Sequence, residues 1–184
     1  MPSNIAVYCG SSKRAGAEFL ELATTVGKAL GQRGHTLVYG AGSIGLMGAV
    51  ARATQQAGGK VLGVIPKSMD HVEITYQQCD ELIFTDTMRQ RKHIMDERSD
   101  VFVVLPGGFG TLEELIEVIT HRHLDFHDKP ILILNVDGFY DPMIKLFEHF
   151  ITHKFAKTKH MQAFKVFPSI QQLIRQLDEI TNKT

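Results

Sequence analysis

Residues 101–114 read VFVVLPGGFGTLEE and combine an apolar run, a glycine-rich turn and the start of a helical pattern. The apolar run 101–105 is typical of a buried strand, and the pattern over 111–123 predicts a helix. The three glycines between them allow close approach of a ligand to the backbone, because no Cβ atom intervenes. Free amides at a helix N-terminus attract anions, and phosphate above all. We therefore predict a phosphate-binding turn here, with the carboxylate of Glu114 in the first turn of the helix.

The same alternation extends along the whole chain. Short apolar runs alternate with helical patterns, the runs lying at 5–9, 36–39, 61–65, 82–84, 131–136 and 164–167 and the helices at 17–32, 46–57, 88–98, 140–154 and 170–180. Continuous apolar strands separated by helices indicate a parallel sheet covered on both faces. We therefore predict an α/β fold with a doubly wound parallel sheet, and a single domain over 1–184.

Composition excludes several classes of function. Lys and Arg number 20, as do Asp and Glu, so the formal charge is zero and nucleic acid is not expected as the partner. Two cysteines, Cys9 and Cys79, make no disulfide framework and favour a reducing compartment. The apolar runs are strand-sized and the N-terminus has no leader pattern, so we expect a cytoplasmic protein without a membrane partner.

Three predicted strands end in glycine- or serine-rich turns, at Gly10, Gly40 and Pro106. In a parallel sheet these turns meet at one edge, where ligands bind. The candidates for phosphate contact in the first two turns are Gly10, Ser11, Gly40, Gly42 and Ser43. The polar stretch 67–81 is a candidate wall or lid of the same crevice.

Two nucleotide motifs fit poorly. Residues 40–45 match G-x-G-x-x-G, but they follow the second strand, and the next strand ends at Ile65 without an acid for a ribose. A phosphate turn or a purely packing turn remains open there. No Walker lysine motif is present, so ATP-driven chemistry loses its main support.

Glu114 has two interpretations. Thr111 and Glu114 fit a capping box at N-cap and N3, in which the carboxylate only satisfies a backbone amide. Three upstream glycines exceed what a cap needs, which favours a functional acid separated from the phosphate by a sugar.

Arg91 and Lys92 share a helix face with Met88 and Met95. That face is either a solvated rim or a crevice wall from which Arg91 pairs with Glu114 or with phosphate.

The histidines near the end of the predicted helix 111–123 and the thiol of Cys9 are not expected to form a metal or catalytic site. His121 and His123 point to different sides of a helix, and with His127 they lack the H-E-x-x-H spacing, so we expect no metal. Cys9 has no neighbouring base and is expected to pack at a strand end.

Several motifs resemble the Lonely Guy (LOG) family, the cytokinin riboside 5′-monophosphate phosphoribohydrolases once labelled lysine decarboxylases. The resemblance covers roughly 5–155. Its motifs are residues 9–12, residues 39–48 (YGAGSIGLMG), Arg91-Lys92, residues 106–114 and residues 134–140. Arg89 stands where the family commonly has histidine, and Ala41 where it has glycine.

The resemblance implies a Rossmann-like fold, usually dimeric, that cleaves the N-glycosidic bond of adenosine-type 5′-monophosphates to free base and ribose 5-phosphate. It implies Arg91 and Glu114 as the catalytic pair and no metal or organic cofactor. The substrate contacts that it implies are Glu73, Lys92, Gly107, Gly108, Phe109, Gly110, Thr111 and Thr120.

Two rival functions remain. A non-catalytic nucleotide-binding or carrier protein would use the same scaffold. The old decarboxylase label would need pyridoxal on a lysine Schiff base, and Lys92 is the only lysine close in sequence to the cluster.

Overall fold

A parallel β-sheet runs through the computed structural model, which describes residues 1–70 and 75–182. Over those residues the sheet has seven strands: β1 (Asn4–Tyr8), β2 (Thr36–Tyr39), β3 (Lys60–Pro66), β4 (Glu81–Thr85), β5 (Val101–Val104), β6 (Ile131–Leu134) and β7 (Lys165–Phe167). The α-helices between them are α1 (Ala17–Gln32), α2 (Gly45–Gln56), α3 (Met88–Glu97), α4 (Phe109–His123), α5 (Asp141–Thr152) and α6 (Ile170–Thr181). The predicted α/β class is confirmed.

The order of strands is β4-β3-β2-β1-β5-β6-β7, and every pairing is parallel. The chain therefore winds outward from β1 to one edge, returns to the centre at β5, and winds to the other edge. β1 and β5 are paired from Ile5 with Val101 to Tyr8 with Val104. Their carboxyl ends mark the topological switch point, where open sheets of this kind bind ligands.

Helices cover both faces, which explains why the central strands are largely apolar. One core packs α1, α2 and α6 against the sheet through residues such as Leu30, Val50 and Leu173. The other core packs α3, α4 and α5 against the opposite face through residues such as Met95 and Leu115. The doubly wound, Rossmann-like arrangement is thus confirmed.

The predicted boundaries differ from those in the structure by one or two residues. Helix α4 begins at Phe109, two residues before the predicted start, because the glycines that interrupt the apolar pattern are compatible with a helical first turn. Ala41, which stands where the family named above has glycine, is buried and adopts a left-handed backbone with φ 60°. A glycine would adopt that conformation without strain.

Candidate functional site

A cleft of about 330 Å³ opens at the carboxyl ends of the central strands. The turns after β1, β2 and β5 all line it, through Gly10 and Ser11, Gly40, and the segment 108–111. The predicted convergence of these three turns on one crevice is confirmed. Arg91 and Glu114 also line the cleft.

The N-terminus of α4 opens into this cleft. Gly108 is the N-cap residue and supplies no side chain to cap the helix, and the first intrahelical bond runs from Leu112 N to Gly108 O. Helix geometry leaves the amides of Phe109, Gly110 and Thr111 without an intrahelical partner. They form a site suited to an anion.

The capping-box interpretation of Glu114 is therefore wrong. Thr111 occupies N3 rather than N-cap, and Glu114 lies in the second turn rather than the first. The side chain of Thr111 packs against Gly107, where a Cβ atom would lie only 2.1 Å from the Thr111 hydroxyl. Glu114 is thus free of any capping role at this end of α4.

Arg91 is fixed by backbone contacts on β3 and on the turn after β2. Helix α3 starts from a capping box in which Thr87 and Gln90 bond reciprocally, and this places Arg91 one turn into the helix. Its Nε donates to Val64 O at 3.1 Å. Its Nη2 lies against Gly40, so close that a Cβ atom there would be 1.8 Å away. The guanidinium therefore needs the glycine at position 40.

Arg91 and Glu114 form the predicted pair. Nη1 donates to Glu114 Oε1 at 3.0 Å, and the side chains are only 8% and 11% exposed. Burial raises the pKa of Glu114 above its ordinary value, and the neighbouring Arg91 opposes that rise. Within the described residues Oε2 has no hydrogen-bond partner, so it is available to a bound molecule.

The remaining wall of the cleft is apolar. Four methionines and one strongly exposed aromatic contribute to it: Met47, Met69, Met88, Met95 and Phe109. The sequence placed Met88 and Met95 on the helix face of Arg91 and included Met69 in the candidate wall 67–81, but it did not predict Met47 and Ser12 as cleft residues. Proximity to the glycine turns was the one signal that pointed to Ser12 and Met47.

Much of the G-x-G-x-x-G turn is engaged in backbone contacts within the protein. The amides of Leu46 and Met47, at the start of α2, both donate to Gly10 O. Gly42 pairs with Thr75 in an isolated bridge, and Ser43 O accepts from Arg52. Neither Gly42 nor Ser43 lines the cleft, whereas Gly40 does.

Three predicted contact residues lie beside the cleft rather than in it. Lys92 forms ion pairs with Glu113 and with Glu117, the latter at 2.7 Å. Gly107 faces a neighbouring cavity, and Thr120 lies in a groove between α4 and α5. Glu73 falls outside the described residues.

The structure also bears on the Cys9 thiol, on metal binding and on membrane spans. Cys9 is buried and burial raises the pKa of its thiol, as expected for a packing residue. Within 1–70 and 75–182, no three His, Cys, Asp or Glu side chains are grouped to hold a metal ion. No helix in this described part of the chain combines the length and apolarity needed to span a bilayer.

The sequence matches a family model described as "Possible lysine decarboxylase" over residues 47–177. A cytokinin riboside 5′-monophosphate phosphoribohydrolase of Oryza sativa subsp. japonica is 43% identical over 175 residues, which cover 95% of this chain and 72% of the relative. An enzyme of the same name from Arabidopsis thaliana is 42% identical, with 95% and 81% covered.

Solved structures share the fold at lower identity. The molybdenum cofactor binding protein of Rippkaea orientalis superposes with a TM-score of 0.74 at 22% identity, over 98% of both chains. The molybdenum cofactor carrier protein of Chlamydomonas reinhardtii gives a TM-score of 0.74 at 20% identity, over 99% of both. At these identities the likeness concerns the fold alone.

Proposed function

The chain belongs to the LOG family of cytokinin riboside 5′-monophosphate phosphoribohydrolases, and from this premise we propose a reaction and a site for it. The protein is a glycosyl hydrolase that cleaves the N-glycosidic bond of a nucleoside 5′-monophosphate. We propose adenosine 5′-monophosphate and its N6-prenylated forms as substrates, with free base and ribose 5-phosphate as products.

One observation carries the assignment of the site: the buried Arg91–Glu114 pair and the uncapped N-terminus of α4 open into the same cleft. The 5′-phosphate would bind the amides of Phe109, Gly110 and Thr111, with Gly10 and Ser11 alongside. The ribose would then lie beside Glu114, which lies beyond that first turn. The methionine-lined wall would receive the base or its prenyl group.

Breaking the bond between ribose and base develops positive charge at C1′, as in glycoside hydrolysis. A carboxylate beside that carbon stabilises the charge, orients the attacking water, or holds ribose hydroxyls. Arg91 would contact the substrate and keep the Glu114 carboxylate in place through its donor at 3.0 Å. Preorganised charge of this kind typically contributes several kcal/mol to transition-state stabilisation.

Three further substrate contacts rest on the family match alone. Glu73, Lys92 and Thr120 occupy positions associated with substrate binding in the family. Lys92 is held by Glu113 and Glu117, so it would reach a phosphate only after those ion pairs rearrange. The same pairing leaves it poorly suited to a Schiff base with pyridoxal, which argues against decarboxylation.

We also propose that the active form is a homodimer in the cytoplasm, and that it does not bind nucleic acid. The dimer is supported by α5, which has no fully buried residue although Leu146 and Phe150 on it are large and apolar. Balanced formal charge supports the absence of nucleic-acid binding.

Release of base from AMP and from N6-isopentenyl-AMP tests the reaction. In Glu114→Gln we expect the rate to fall by a factor of at least about 100, because the carboxylate charge is lost, while thermal unfolding stays nearly unchanged. Glu21→Gln on the exposed side of α1 is the matched control and should retain full activity.

Three results would contradict this proposal. The absence of base release from every purine and pyrimidine monophosphate would refute the reaction, and tight nucleotide binding without turnover would favour the carrier alternative. A Glu114→Gln variant that unfolds readily but keeps its activity would show that the carboxylate is structural.

A further inference from the structure

A second cavity, of about 290 Å³, lies on the other side of the loops that follow β1 and β5. It is close in size to the cleft that holds Arg91 and Glu114. The proposed substrate, a monophosphate, leaves it unused. Arg14, Phe19 and Phe139 contribute its distinctive side chains.

The two cavities adjoin one another and are called here the two halves of one crevice, because Gly10, Ser12 and Gly108 line both of them. The loops after β1 and β5 are joined by a hydrogen bond, which Gly10 N donates to Pro106 O at 3.1 Å. The two halves therefore flank the β1–β5 switch point, where doubly wound sheets bind two-part nucleotide ligands.

Each half of the crevice carries an exposed aromatic ring. Phe109 is 92% exposed beside the first half, and Phe139 is 41% exposed beside the second. Phe139 is held edge-on by Phe19, with ring centroids 5.7 Å apart, and by Tyr140 at 4.9 Å. A ring fixed in this way is suited to stacking against a flat base.

The charge at the second half suits a phosphate bridge. Arg14 is exposed on the loop after β1, and within the described part of the chain no carboxylate forms an ion pair with its guanidinium. Glu18 is the opposing charge, since its carboxylate folds over Gly16 at the start of α1. Gly108, which lines both halves, is also the N-cap residue of α4, whose first amides are suited to an anion.

We propose that the second cavity binds the distal nucleoside of a dinucleotide, in which two nucleosides are joined by a 5′,5′-diphosphate. The proximal nucleotide occupies the cleft as the monophosphate substrate does, so this inference rests on the proposed function. The diphosphate crosses above Ser12 and Gly108, Arg14 contacts its distal phosphate, and the second base stacks on Phe139. The G-x-G-x-x-G turn before α2 has no part in this binding, because the amides of Leu46 and Met47 at the start of α2 donate to Gly10 O.

Calorimetric titration of the full chain with AMP and with P1,P2-di(adenosine-5′) diphosphate tests the proposal. The two ligands share one nucleotide, so their difference reports the second half of the crevice. We expect the dinucleotide to bind about ten-fold more tightly than AMP, since stacking of one base contributes on that scale. Using Glu114→Gln as the background prevents turnover during the titration.

The substitutions Arg14→Gln and Phe139→Ser should each reduce that advantage while AMP binding stays unchanged. Lys13→Gln, on the neighbouring exposed residue, is the matched control and should keep it. Arg14 is a surface side chain, so its variant remains informative if Phe139→Ser folds poorly.

The proposal is overturned if the dinucleotide binds no more tightly than AMP, or if its advantage survives both substitutions. Failure of the proposed function looks different, because it is the absence of base release from AMP by the unsubstituted protein. AMP binding without turnover would thus refute the hydrolase and still allow the two affinities to be compared.

Discussion

Gly40 is the residue on which the position of Arg91 most directly depends. A methyl group at position 40 would lie 1.8 Å from Arg91 Nη2, so the guanidinium has to move. We expect Gly40→Ala to lower kcat/KM for AMP by at least about ten-fold, because displacing a charged group from a preorganised site weakens transition-state stabilisation. Steady-state rates of base release measure this.

Gly34→Ala provides the control for that substitution. Gly34 has φ 69°, and a methyl group added there would meet no other atom within 4 Å, so alanine strains the backbone without touching the cleft. It should cost about 1 kcal/mol of stability and leave activity per folded molecule unchanged. Equal activity losses in both variants would mean that Gly40 acts through stability alone.

The titration of Glu114 gives a second prediction at this scale. Burial raises the pKa of its carboxyl group, and the proposed reaction uses the ionised form. The acid limb of kcat/KM should therefore lie at a higher pH than about 4.3, the ordinary value for glutamate. A pH–rate profile measures it, and a limb at or below the ordinary value would contradict the role of a buried, ionised Glu114.

Single residues show where inference from sequence succeeds. The helical period placed Arg91 and Met95 on one face, and the pairing of Arg91 with Glu114 followed from that face meeting the crevice. The capping box failed because Thr111 is an equally good residue at N3, and sequence does not distinguish N-cap from N3 behind a glycine. Met69 lies in the stretch 67–81, the candidate wall of the crevice, and it does line the cleft.

At the scale of elements, the alternation of strands and helices was sufficient to predict the sheet. The order of the strands is harder to predict from sequence, because a helical crossover allows the next parallel strand to pair on either side of the strand before it. Boundaries shifted by one or two residues, and at the start of α4 the shift coincides with glycines that interrupt the pattern. Lys92 shares its helix with Arg91, yet ion pairs with α4 direct it elsewhere, and such pairs depend on packing that sequence does not show.

Helix α5 provides a prediction at this scale. It leaves Leu146 and Phe150 exposed next to a groove that Ile116 and Phe147 line, and covering such a surface with a second copy would bury apolar area. We expect sedimentation velocity to give a dimer for the natural chain and a monomer for the double variant Leu146→Glu, Phe150→Glu. Leu124→Glu, on an exposed apolar residue after α4, should remain dimeric. A natural chain that sediments as a monomer would contradict the proposal.

For the whole molecule, buried histidines should make stability depend on pH. His35 Nε2 and His127 Nδ1 are buried without a hydrogen-bond partner among the described residues, and burial lowers the pKa of both side chains. Below about 6.5, the unfolded chain then binds protons that the folded chain does not. The free energy of unfolding should therefore fall as the pH drops through and below that value, until the folded-state pKa values are reached.

Urea unfolding at several pH values measures this dependence. The double variant His35→Asn, His127→Gln keeps the acceptor used by Ser3 N and the bond to Val118 O, and it should show a smaller loss on acidification. His93→Gln, on an exposed histidine, is the control and should behave like the natural chain. An unchanged pH dependence in the double variant would mean that other groups cause the acid instability.

The buried ion pair has a consequence for how this fold responds to selection for heat resistance. Taking two charges out of water costs several kcal/mol per ion, and a well-packed apolar pair of similar size is often equally stable or more so. Arg91 and Glu114 lie beside the methionines of the cleft. Variants selected for thermal tolerance alone would therefore tend to lose this pair, and with it the proposed chemistry. Selection for turnover, rather than for stability, would retain the proposed active site.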